Sequence, residues 1–408
     1  MKRYRLIGLI ALALSLALLV FIIYFSSSET QIQESTKQIN DNTILIGSKQ
    51  GNYSHSTACQ TEDGAVLIAS IISPEAGKPD KVSIIKLSSD GNFVWEQTFT
   101  LGKKSKLDIL KRNKEIQALR THQISSYQNH YYVVLTSQEQ QSEAPFILRI
   151  DQDGALLESK KVDLKLESGT SLKTFISGDK LYLSFIDSRE KMLSLSKIDL
   201  LTAEVLQTSI RFIRQKNLVI NAVAADPADS IISVVAYDKE FGCSFFQYTP
   251  QTDLKEVFRT QVATDITALK YYENKLYGAV KEDSLLEVVD LTDLGKPLIK
   301  VTDILAAKDF RLIDLLIADG KFHVLAKTRY DKDDGAEGIL AELLSYNFDG
   351  SLAGKKSLPG SDSDLEKQII SIKDKPVFIL GESSGYSDSK VSRLFIKKIN
   401  WLEQGHLP

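Results

Sequence analysis

One phrase recurs along most of this chain: an apolar run, a turn, and a second alternating run. The turn closes on an acidic residue followed by glycine. Ile84-Ile85-Lys86-Leu87-Ser88-Ser89-Asp90-Gly91-Asn92-Phe93-Val94-Trp95 is the clearest copy. Ile147-Leu148-Arg149-Ile150-Asp151-Gln152-Asp153-Gly154-Ala155-Leu156-Leu157 follows, and Leu344-Ser345-Tyr346-Asn347-Phe348-Asp349-Gly350-Ser351-Leu352 stands near the end. A repeat spread this widely sets the architecture before any residue's chemistry is considered, because one unit cannot bury its apolar face without a neighbour.

Seven two-part units can be laid out. They pair 64–73 with 82–99, 124–137 with 146–162, 173–187 with 192–212, 221–237 with 243–262, 266–281 with 285–301, 311–330 with 338–358, and 368–382 with 393–401. Val, Ile, Leu, Phe and Tyr alternate with polar residues in these runs, and Gly, Asp, Asn or Ser clusters bound them, which is the pattern of strands joined by hairpins. The first halves share a further turn followed by Lys and a strand, as in Ser177-Gly178-Asp179-Lys180-Leu181-Tyr182 and Ala318-Asp319-Gly320-Lys321-Phe322-His323. A unit of about 50 residues matches a four-stranded propeller blade. The expected fold is all-β, a seven-bladed β-propeller behind a single N-terminal transmembrane helix. The last unit lacks an outermost strand and Thr43-Ile44-Leu45-Ile46-Gly47 belongs to no unit. That early segment is therefore expected to complete the last blade, since an open array would leave unpaired edges.

Two further features carry a resemblance. Leu195-Ser196-Lys197-Ile198-Asp199-Leu200-Leu201-Thr202-Ala203-Glu204-Val205-Leu206 is similar to an apolar-x-Asp-x-x-Thr-Gly blade turn, with Ala203 in place of the glycine. Trp95 stands four residues beyond Gly91, where such repeats often carry a docking Trp. The exported part thus resembles the quinoprotein-like β-propeller superfamily. The resemblance implies architecture only; it brings no cofactor and no substrate.

The run Leu6–Phe25 carries no charge. At roughly 1.5 Å per residue it reaches about 30 Å, the thickness of a bilayer's hydrocarbon core. Lys2, Arg3 and Arg5 precede it while Glu29 and Glu34 follow. The positive-inside rule places the N-terminus in the cytoplasm and the rest outside it. A cleaved signal peptide is the competing assignment, with Ser26-Ser27-Ser28 as the small residues before a cut. The apolar core is too long for that, so an uncleaved signal anchor is favoured. No Cys follows closely enough for a lipoprotein anchor. The expected organisation is a basic tip (1–5), an anchor (6–25), a polar stalk (26–42) and the propeller (43–408). The chain is expected at the cell membrane as a single-pass, extracytoplasmic protein of the cell envelope.

Apolar residues make up 43% and charged residues 25%, the balance of a globular protein rather than a disordered one. Net charge is -3 even with the three basic residues of the tip counted, which argues against nucleic acid as a partner. Cys59 and Cys243 are the two cysteines. One disulfide is conceivable in an exported protein, but buried free thiols on separate blades are favoured.

Chemistry-bearing motifs are sparse. His55, His122, His130, His323 and His406 show no metal-ligand spacing. His323 sits in an alternating strand as an ordinary half-buried residue, and His122 and His130 flank a strand start as solvated loop residues. There is no Gly-x-Ser-x-Gly elbow and no glycine-rich phosphate loop. Asp331-Lys332-Asp333-Asp334-Gly335 and Asp151-Gln152-Asp153-Gly154 lack the calcium-loop spacing and are expected to be hairpin turns. No metal and no cofactor is expected. One stretch departs from the repeat: 103–120 carries Lys103, Lys104, Lys106, Lys111, Arg112, Lys114 and Arg120 with Leu107, Leu110, Ile116 and Leu119. It is a candidate contact for anionic lipid or polymer, weighed against a solvated cap on a blade.

The function expected from these features is a membrane-anchored binding or scaffold propeller for a protein or envelope polymer. The rival class is a propeller hydrolase or lyase acting on carbohydrate. It needs two carboxylates converging at roughly 5–10 Å, with Asp187, Asp238 and Glu382, at comparable strand ends, as candidates.

Overall fold

The computed structural model describes residues 36–40, 43–46, 52–73, 80–100, 117–139 and most of 142–399. The basic tip, the apolar run 6–25, most of the stalk and the basic residues Lys103 to Lys114 lie outside the described residues. Every regular element among the described residues is a strand. None of them is a helix able to cross a membrane.

Strands pair antiparallel into seven separate sheets, and each sheet is one blade. Blade 1 runs Asn52–Gln60, Val66–Ser73, Lys81–Leu87, Phe93–Phe99 from inner to outer edge. Blades 3 to 6 repeat that simple four-strand order, and blade 2 adds a short strand, Leu166–Glu167, beside Ser142–Ile150. The seven first strands touch one another in turn around the ring, including Asp364–Ile372 of blade 7 against Asn52–Gln60 of blade 1. They enclose a central channel. The fold is a seven-bladed β-propeller.

Ring closure follows the expected route. Thr43–Ile46 pairs antiparallel with Arg393–Lys398, matching Leu45 with Phe395 and Ile46 with Leu394. Blade 7 therefore mixes both ends of the chain. The structure adds a strand that the sequence reading left in the stalk: Thr36–Asn40 pairs with Thr43–Ile46 and makes blade 7 five-stranded. A second addition is blade 1's inner strand, Asn52–Gln60, which lay in no unit. Its Ser54, His55, Ser56 and Thr57 carry no apolar alternation to announce a strand.

The core is a set of seams between blades. One buried cluster joins blades 1 and 7 through Ile46, Ile68, Phe378 and Ile396. Another joins blades 1 and 2 through Leu67, Ala69, Val133 and Leu148. The remaining clusters join successive blades the same way. Within Val66–Ser73, successive side chains serve opposite seams, so the strand is buried on both faces and reads as a continuous apolar run. At ~25 cal/mol per Å² of apolar surface removed from water, this burial is the main stabilising contribution.

The repeated turn serves the seams as well. Gly154 has φ +89°, a left-handed conformation that a side chain strains. A Cβ there would also lie 3.2 Å from the Trp95 ring of blade 1. Trp95 thus docks on the next blade's turn, as the repeat suggested. Ala203 takes φ +60° at the corresponding turn of blade 3. It is held by Asp199, whose carboxylate accepts the N–H groups of Leu201 and Thr202 at 3.0 and 2.8 Å. The Asp151 turn is a hairpin turn of the same kind, its carboxylate accepting from Asp153 and Ala155 N–H.

A second device links the inner strands. All of them except blade 3's carry a β-bulge, which leaves backbone groups off the ladder. Side chains of the preceding blade accept N–H groups near these bulges: Asp80 from Leu119 (3.1 Å), Cys243 Sγ from Ile266 (3.1 Å), Asp314 from Ile369 (2.9 Å) and Glu382 from Ser56 (2.9 Å). Between blades 3 and 4, Ser171 Oγ accepts from Ile220 at 2.9 Å. Cys59 and Cys243 are free thiols, and burial pushes both up to about 12.

Candidate functional site

The end of the channel where the inner strands begin gathers polar groups from several blades. His55 stands at the blade 1 bulge with φ +53°, an uncommon conformation for a residue with a side chain. Thr121 of blade 2 donates its hydroxyl to the His55 carbonyl, tying the two bulges together. His122 is the bulge residue of blade 2, and its Nε2 lies 2.9 Å from Thr136 Oγ1. Lys173 opens the inner strand of blade 3 opposite Ser184. On the blade 7 side, Glu382 accepts the Ser56 N–H and hydroxyl (2.9 and 2.8 Å) and faces Lys367 at 3.5 Å.

The electrostatics show these groups share one environment. His122 is held down at about 4, first by loss of water around the ring and then by the neighbouring His55, Arg120 and Lys173. His55 is lowered by burial and then by Arg120, against an opposing pull from Glu382. Lys173 keeps solvent contact, yet the protein crowded round it lowers its pKa. Both imidazoles are therefore neutral near pH 7, and the fixed positive charge comes from Lys173, Lys367 and Arg120.

Sequence reasoning placed His122 in a solvated loop. The structure places it inside Gln117–Tyr127, because the strand begins earlier than the apolar pattern shows. His130 does open a strand, with Nδ1 2.8 Å from the Gln128 carbonyl oxygen. Lys173 carried no signal as a lone Lys at a strand start. The basic residues Lys103, Lys104, Lys106, Lys111, Arg112 and Lys114 lie outside the described residues.

The three carboxylates considered for a hydrolytic pair sit on three blades and have structural partners. Asp187 accepts the Glu190 N–H at 2.9 Å, and Asp238 accepts those of Glu240 and Phe241, so both cap turns. Glu382 holds the seam between blades 7 and 1. A separate cleft of about 170 Å³ opens between blades 6 and 7, beside Arg311, Lys327 and Glu366. Its floor is an ion triad: Glu366 lies 2.7 Å from Lys327 Nζ and 3.1 Å from Lys397 Nζ. Among the described residues no group of His, Cys, Asp and Glu is arranged to hold a metal ion.

His323 is a core residue. The Ala318 carbonyl, 3.2 Å from Nε2, can only accept, so Nε2 carries the proton and Nδ1 accepts from the Ser345 hydroxyl at 2.7 Å. Burial holds this ring at about 4. The unfolded chain binds that proton near pH 6.5 and the native one does not, so stability rises with pH across this window. It should fall by about 3 kcal/mol from this group as pH drops from 6.5 to 4. Urea unfolding at neutral and acid pH checks this: His323→Gln, once its cost at pH 7 is subtracted, should lose less stability on acidification than the parent.

No protein-family model matches the chain, and no curated protein matches it in sequence. Similar solved structures exist. The propeller domain of the Trilobed protease from Pyrococcus furiosus, described as having an open velcro topology, is 12% identical with a TM-score of 0.50, over 86% of this chain and 93% of that one. A structure of prolyl endopeptidases is 12% identical with a TM-score of 0.51, covering 87% of this chain and 51% of that chain. A chain of the mitotic checkpoint complex is 8% identical at a TM-score of 0.50, over 90% and 96% respectively. The Trilobed protease likeness is to a domain described as a β-propeller. At such identities all three likenesses concern the fold alone.

Proposed function

We propose that this chain is a membrane-anchored, extracytoplasmic binding propeller that presents its channel mouth to a protein or a cell-envelope polymer. The observation that carries the binding role is the convergence of His55, Arg120, His122, Lys173 and Lys367 at one end of a closed ring. Rigid sheets fix the strands that bear these residues, which is how a scaffold positions a binding surface. Membrane attachment rests on the uncharged run Leu6–Phe25 and on the basic residues that precede it. Asp187 and Asp238 cap turns, so neither supports the hydrolase reading.

The test uses the full chain in intact cells. A membrane-impermeant amine reagent should label the propeller, the chain should fractionate with membranes, and crosslinking should recover a reproducible partner. Neutralising Lys103, Lys104, Lys106 and Lys111 together should weaken envelope association if that stretch contacts an anionic surface. A propeller protected from the reagent until the cells are lysed would overturn the topology. A membrane-bound chain with no crosslinked protein or polymer would overturn the binding role.

A further inference from the structure

The cleft between blades 6 and 7 is short of negative charge. Arg311 and Lys327 stand directly opposite each other on neighbouring strands of blade 6, so their side chains leave the same face of the sheet, toward blade 7. Like charges in that position repel and weaken a strand pair. Glu366, across the seam, lies 2.7 Å from Lys327 Nζ and 3.1 Å from Lys397 Nζ. That one carboxylate already serves two ammonium groups. Arg311 has neither an ion pair nor a hydrogen bond among the described residues.

The other acids of this seam are engaged elsewhere. Asp314 accepts the N–H groups of Leu315 and Ile369. Glu382 holds Ser56 of blade 1 and faces Lys367. The hollow beside Arg311 measures about 170 Å³, and a cavity of roughly 150 Å³ holds a molecule the size of benzene. Its walls are partly apolar: Leu312, Ile313 and Leu365 line it, and Leu365 is 53% exposed. Cations above an apolar wall suit a carboxylate carried on a hydrocarbon body. The Arg311 fork can hold both carboxylate oxygens, while the body covers Leu312 and Leu365. Phosphate or sulfate, hydrated on every side, gains nothing from that wall.

We propose that the cleft between blades 6 and 7 binds a monocarboxylate with a short hydrocarbon body, held by Arg311 and Lys327 over Leu312, Ile313 and Leu365. Such a group reaches the cleft as a free organic acid or as the C-terminal residue of a protein chain. Its binding depends neither on membrane attachment nor on the partner proposed for the channel mouth.

Methyl NMR of the full chain in a membrane mimic reads the site at Leu365, assigned through Leu365→Ile. The probes are hexanoate, inorganic phosphate, and a peptide ending in leucine with either a free or an amidated C-terminus. Hexanoate or the free-acid peptide should shift the Leu365 methyls saturably, and phosphate and the amide should not. Tighter binding of hexanoate identifies the free organic acid as the source; tighter binding of the peptide identifies the chain terminus. Arg311→Met should weaken binding about tenfold, the loss of one charge-assisted contact. Arg311→Lys, which keeps the charge without the fork, should fall between the two. Without probe, Arg311→Met should melt no lower than the parent, because it removes the repulsion across the ladder; its weak binding is then not misfolding. A lower midpoint would show that Arg311 has an internal partner and would count against the site. Unmoved Leu365 methyls with both hexanoate and the free-acid peptide would overturn the proposal. So would equal affinity in parent and Arg311→Met, or phosphate binding as tightly as hexanoate.

Discussion

Removing residues 36–46 from the full chain should lower its thermal midpoint sharply and cause self-association on gel filtration. Those residues supply the two outer strands of blade 7. Leu45 and Ile46 are each only 1% exposed, and each such side chain returned to water removes about 1.5–3 kcal/mol. Loss of backbone pairing adds to this, because Arg393–Lys398 becomes a bare edge along which another chain can pair. A milder variant separates packing from pairing. Ile46→Ala keeps the strand and should cost about 2–5 kcal/mol in urea unfolding without self-association. Unchanged stability and a monomeric state in the deletion would show that the ring holds without its closing strands.

Glu366→Gln should be among the most destabilising single substitutions in the molecule. Glu366 sits between Lys327 and Lys397, and the Lys397 side chain is only 4% exposed. Lys327 can turn toward the cleft and find water, but Lys397 is enclosed, lying over the Phe395 ring at 4.6 Å. Removing the carboxylate charge leaves a buried ammonium without its counter-ion, and breaking such a pair costs about 3–5 kcal/mol. The pair itself need not be stabilising, since dehydrating both charges offsets much of their attraction. Adding Lys397→Met to Glu366→Gln should therefore restore most of the loss. Urea unfolding of the parent, both single variants and the double variant measures the coupling. A Glu366→Gln protein as stable as its parent would mean that Lys397 is hydrated.

The elements legible in the sequence are those whose cause is local. The Asp-Gly turns at Gly91, Gly154 and Gly350 announce themselves because left-handed backbone selects glycine. Strands buried on both faces, such as Val66–Ser73, announce themselves as unbroken apolar runs. The closing strand Thr43–Ile46 was legible by subtraction, as an apolar segment facing a blade one strand short. What stayed hidden depends on partners far along the chain. Asn52–Gln60 looks polar because Ser56 and the Ala58 backbone bond to Glu382 and Gln368 of blade 7, and Thr36–Asn40 has only Ile39 as an apolar residue. The side chains that accept N–H groups from the next blade, Asp80, Cys243, Asp314 and Glu382, act on residues tens to hundreds of positions away. His122 and Lys173 become candidates only once the ring brings their strands together. Of the carboxylates singled out by their place in the repeat, Asp187 and Asp238 cap turns and Glu382 ties blade 7 to blade 1.

Joining the first strands to the last also sets the order of assembly. On the ribosome, Thr43–Ile46 emerges early but its neighbour in blade 7, Arg393–Lys398, is synthesised last. Six blades can form while the seventh waits, and the growing chain carries an unsatisfied apolar hairpin close to its proposed lipid tether throughout that interval. Truncated translation products should accordingly be avid substrates for holdase chaperones, and the finished polypeptide should not.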